Sequence, residues 1–101
     1  MKTLAQITLD YIWLLMFAGE DIIDLDYSVK QVELLPDYFA GMTPDEKAAL
    51  SEVAVEAKGR LLAEPDEHGY SPRRLVTPEQ IEFLDLLISG DAFDEELQGS
   101  R

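Results

Sequence analysis

The chain has 101 residues, 47% of them hydrophobic and none of them cysteine, and its twenty-one acids against eight bases give a formal net charge of −13. That length fits one domain, residues 1–101, with one modest core that buries roughly two thirds of the unfolded chain's surface. Disulfides, thiolate metal sites and cysteine nucleophiles are excluded. The negative field disfavours nucleic-acid backbones and anionic lipid headgroups and favours a basic protein partner, with plain solubility as the competing reading of the charge.

The first predicted helix runs from Leu4 to Ala18, capped by Thr3 and ended by Gly19. Leu4, Ile7, Tyr11, Leu14, Leu15 and Ala18 form a stripe at helical spacing, and Ile12, Trp13, Met16 and Phe17 fill the other faces. A helix apolar all round is either central in the fold or lends one face to a partner, so a homodimer through this helix is one expectation. The apolar run is too short for a membrane span, which needs roughly 20 residues. No small-residue cleavage site follows it, so a cytoplasmic location is expected.

An acidic connection follows, in which Glu20, Asp21, Asp24 and Asp26 surround Ile22, Ile23 and Leu25. Asp26 is the expected N-cap of a second helix from Tyr27 to Leu35, with Val29, Val32 and Leu35 on its inner side and Leu34 flanking. Pro36 predicts a kink or break, and residues 37–40 one further turn before Gly41. Thr43-Pro44-Asp45-Glu46 is a capping box with proline at the first helical position. It opens a third helix reaching Ala63, with Leu50, Val53, Ala54, Ala57 and Leu61 inward and a close packing contact expected at Gly59.

Residues 64–74, with two prolines and one glycine, read as a loop. Thr77-Pro78-Glu79-Gln80 repeats the capping chemistry and starts a fourth helix to Ser89, in which Ile81, Leu84, Leu87 and Ile88 face inward and Gly90 takes the left-handed position. The remainder, residues 91–101, forms a short final helix or a flexible tail. No alternating run competes as a strand. The expected fold is therefore all-α, a single domain forming a small bundle of four or five helices.

No constellation for catalysis stands out. His68 is the single histidine, and Ser71 shares its loop without a nucleophile elbow, so His68 reads as an exposed loop residue. One histidine and no cysteine do not make a structural zinc site. The calcium-loop pattern fails from Asp24, where Val29 stands in the glycine position and Leu35 in that of the bidentate glutamate. Neither enzymatic activity nor a cofactor is expected.

What remains are acids interleaved with aromatics. Glu20, Asp21, Asp24 and Asp26 precede Tyr27; Asp37 precedes Tyr38; and Asp91, Phe93, Asp94, Glu95 and Glu96 crowd the tail. They read either as solvated faces or as a docking surface in which aromatics supply contact area and acids supply steering. In size, charge and helicity the chain is similar to the small acidic helical immunity proteins, a likeness that implies a role in neutralising a basic toxin domain by blocking its active site. Two alternatives are a nucleic-acid mimic, with Glu46, Glu52, Glu56 and Glu79, Glu82, Asp85 as partial rows of carboxylates, and a helical adaptor or dimeric regulatory subunit.

Overall fold

A computed structural model describes residues 1–63 and 76–93. They form an all-α bundle of four helices and a terminal 3-10 turn: α1 (Lys2–Phe17), α2 (Leu25–Gly41), α3 (Pro44–Leu61), α4 (Pro78–Ser89) and the turn Asp91–Phe93. No strand occurs among the described residues.

The third helix organises the core. Its start is fixed by the expected capping box: the Glu46 N–H donates to Thr43 Oγ1 at 3.1 Å, and the Thr43 N–H donates to Glu46 Oε1 at 2.7 Å. Leu50, Val53, Ala54 and Ala57 are buried along one face, packed against α1 on one side and α4 on the other. The two alanines keep this face shallow, which lets both neighbours approach closely. From α4 come Phe83, Leu84 and Leu87, all buried, with Ile88 packed at the margin and Ile81 half-buried. Ser51 Oγ ties the two helices together by donating to the Leu87 carbonyl at 2.6 Å. Gly90 closes α4 in the left-handed region, φ 91°, where glycine carries no Cβ penalty.

The inward side of α1 keeps Leu15 of the expected stripe, with Ala18 half-buried, but otherwise differs from it. Ala5, Leu9, Ile12 and Leu15 are buried, whereas Leu4, Ile7, Tyr11 and Leu14 are exposed. Both sets recur at helical spacing, so periodicity alone cannot choose between them. The face chosen is the one that meets the alanines of α3. Residue boundaries shift as well: α1 starts at Lys2, Thr3 lies within its first turn, and Ala18 rather than Gly19 is its C-cap, with extended geometry.

The second helix is longer at both ends than expected. Asp24, not Asp26, is its N-cap, accepting the Tyr27 N–H at 2.9 Å. At the other end the chain passes through Pro36 without a break and stays helical to Gly41. A proline inside a helix costs about 3 kcal/mol. Leu35 and Phe39, buried on either side of it, return roughly 1.5–3 kcal/mol each and hold the helix through that position. Val32 packs partly against the core, but Val29, expected inward, is exposed. This helix packs on α1 and on the 3-10 turn, where the Phe39 and Phe93 rings meet edge to face with centroids 5.2 Å apart.

Among the described residues the close contact expected at Gly59 is absent: a Cβ there would meet none of them within 4 Å. Gly59→Ala should therefore stabilise the protein by about 0.5–1 kcal/mol, by helix propensity and a less flexible unfolded chain. Denaturant unfolding followed by circular dichroism checks this; an unchanged or lower midpoint contradicts it.

Candidate protein-docking surfaces

The connection between α1 and α2 is a tight acidic turn. The Gly19 carbonyl accepts the N–H groups of Ile22 and Ile23 at 2.9 and 3.1 Å, and Asp24 then caps α2. Folding the segment this way turns most of its side chains outward, Ile23 being half-buried. Glu20, Asp21, Asp24 and Asp26 are exposed, and so are Ile22 at 67%, Leu25 at 53% and Tyr27. The ion pairs among the described residues lie elsewhere, Lys2 with Glu56 at 2.7 Å and Lys58 with Asp85. The acids of this turn are thus unneutralised within the described chain. Apolar anchors set among uncompensated carboxylates combine contact area with long-range attraction for a cation-rich protein.

The other candidate docking residues lie apart from this turn. Asp37 and Tyr38 sit near the far end of α2, which at about 1.5 Å per residue is roughly 16 Å along the axis from Asp26. Asp91 opens the 3-10 turn beside that end. Phe93 is half-buried, held between Phe39 and Lys47, whose ammonium lies 5.9 Å from the ring centroid, so it packs on the core rather than offering an open anchor. Asp94, Glu95 and Glu96 lie outside the described residues, as do His68, Ser71 and the rest of residues 64–75. Among the described residues no three His, Cys, Asp or Glu side chains converge as metal ligands, and no helix is long and apolar enough to cross a membrane.

A second surface follows from the choice of faces on α1. The two helices of the α1–α2 pair run antiparallel, the Tyr11 hydroxyl donating to Gln31 Oε1 at 3.2 Å, while Thr8, Tyr11, Leu35 and Tyr38 line one shallow depression. Leu4, Ile7, Tyr11 and Leu14 on α1 therefore continue into Leu34 and Tyr38 on α2 as one apolar face, with Tyr27 at its end. The sequence held a partial sign of this surface in α1, which is apolar all round; its extension across α2 depended on which flank of α2 turns toward Tyr11. Removal from water, and then the neighbouring Tyr27 hydroxyl, push the Tyr11 phenol above its ordinary value.

Half of the carboxylates in the rows of a nucleic-acid mimic are committed to the fold. Glu46 closes the α3 capping box, Glu56 pairs with Lys2 and Asp85 pairs with Lys58. No family model, curated protein or solved structure matches the chain.

Two outcomes are expected at these surfaces. Asp24→Ala removes the α2 cap and should cost about 1 kcal/mol, whereas Asp26→Ala should be nearly neutral; chemical denaturation of both variants decides which acid caps the helix. For Tyr11, the folded value lies above the unfolded one, so the neutral phenol contributes stability that is present below the ordinary tyrosine value near ~10 and is lost as pH rises through the raised one. An absorbance titration should show a late-ionising phenol that disappears in Tyr11→Phe. If all phenols ionise together, the assignment fails.

Proposed function

We propose that this protein is a non-catalytic binder of another protein, and that its acidic α1–α2 turn docks a basic toxin or effector domain and occludes that domain's active site, as an immunity-type inhibitor does. The observation that carries this reading is the composition of the turn: exposed Ile22, Leu25 and Tyr27 alternate with Glu20, Asp21 and Asp26, and none of these carboxylates has an ion-pair partner among the described residues. Exposed apolar side chains cost solubility without adding stability, so a group of them among steering charges is more useful at an interface than in water. A net charge of −13 extends the same attraction over the whole molecule. The nucleic-acid-mimic reading is less favoured because half of its candidate carboxylates already serve caps and salt bridges.

The test begins with a photoreactive amino acid at Ile22, used to trap the partner in the cells that make this protein. The purified partner is then titrated with the wild-type chain and with the triple variant Glu20→Lys, Asp21→Lys, Asp26→Lys. Asp24 is left intact because it caps α2. Reversing three rim charges should lower the association rate by about 10-fold or more, with the thermal midpoint nearly unchanged. Affinity should fall as salt rises from about 50 mM to about 500 mM, across which the Debye length shrinks several-fold. The wild-type chain should also suppress whatever activity the partner has. An acidic partner, or binding indifferent to both salt and charge reversal, overturns the proposal.

A further inference from the structure

We infer that the apolar α1–α2 face is the contact between two copies of this chain. The inference concerns a different surface from the acidic turn and stands independently of the toxin-inhibitor reading. Leu4, Ile7, Tyr11 and Leu14 of α1 and Leu34 and Tyr38 of α2 are each at least 39% exposed, Leu4 reaching 68%. Together they present roughly 600 Å² of mostly apolar surface, at the top of what a monomer ordinarily leaves in water. Two such faces, if wholly covered, would bury at most about 1,200 Å² from these side chains, the lower edge of the range of specific interfaces, about 1,200–2,000 Å².

Charge selects the occupant. A chain at −13 repels its own copy over most of its surface. Among the described helices α1 is the exception, since its sixteen residues hold one lysine and one aspartate, and that lysine, Lys2, is engaged with Glu56 of α3. Between the apolar side chains stand the uncharged Thr8 and Gln31. The stripe itself carries no carboxylate to attract a basic protein, with Asp10 and Asp37 at its margins, so among the described helix faces it lets two copies meet with few like charges opposed; interface centres are depleted of charge in the same way and enriched in tyrosine. The rim fits a two-fold arrangement. Lys30, on α2 near the edge of the stripe, makes no ion pair among the described residues, and Glu33 and Asp37 lie on the same helix. In an isologous contact the Lys30 of each copy can meet a carboxylate of the other.

Sedimentation equilibrium on the full chain, from low to high micromolar concentration, tests this directly. The expected mass approaches twice 11.4 kDa. The double variant Ile7→Glu, Tyr38→Glu should raise the dimer dissociation constant by about 100-fold or more, because four buried charges would face one another across the contact. Both side chains are exposed in the single chain, so helicity by circular dichroism should be retained; Leu4→Lys, at the most exposed position of the stripe, gives a second reading should the double variant lose helix. Val55→Glu, at an exposed apolar position of α3 away from the stripe, should leave the dimer intact. Added salt should preserve or tighten the dimer by screening like charges, opposite to its effect on a basic partner, so failure of one proposal is visible apart from failure of the other. A monomer at every concentration, or a dimer that ignores both stripe variants, or one that dissolves with Val55→Glu, overturns the inference.

Discussion

Burial of the alanine-containing face of α3 between α1 and α4 is the constraint on which the architecture depends. Leu50, Val53, Ala54 and Ala57 leave almost no surface to water, and the side chains that cover them, Leu9 and Ile12 from α1 and Leu84 and Leu87 from α4, are themselves close to fully buried. Because the face is shallow, one side of each neighbouring helix is consumed completely. Among the described residues the opposite side of α1 is then left largely uncovered, and α2 reaches only part of it. The exposed apolar face is thus a geometric result of how α3 recruits α1.

The parts of the fold legible in the sequence are those where a local rule has no rival. The Thr43 and Thr77 capping boxes, each followed by proline, mark helix starts through hydrogen bonds within four residues, and both form. Gly90 likewise fulfils a backbone requirement at its own position. Legibility fails where tertiary packing arbitrates between equivalent local choices. On α1 two stripes satisfy the same periodicity, and only the presence of α3 separates them. Asp24 and Asp26 are both able caps, and the outcome turned on whether Leu25 begins the helix. Pro36 was read by its intrinsic cost, but the burial of Leu35 and Phe39 on both sides of it outweighs that cost.

The candidate surfaces divide along the same line. That acids and apolar residues alternate between residues 20 and 27 is a property of the sequence, and the Gly19 turn simply turns most of them outward. Whether distant acids join that group is a property of the fold, which instead sets Asp37 and Asp91 near the other end of α2. The apolar stripe spans two helices and could not be read from either one alone, since its continuity rests on the flank of α2 that carries Gln31 toward Tyr11.

The pairing of Phe39 with Phe93 has a further consequence for motion. The main contacts of helix α2 within the described bundle are with α1 and with the three-residue turn that carries Phe93. Although Leu35 and Phe39 join the common core, detachment of α2 with the α1–α3–α4 contacts kept is the expected subglobal opening of such a unit, and hydrogen exchange there should be faster than in α3. Phe93 acts as a latch fastening that unit from the far end of the chain, so truncation before this residue would lower the free energy of α2 detachment while sparing the centre of the molecule.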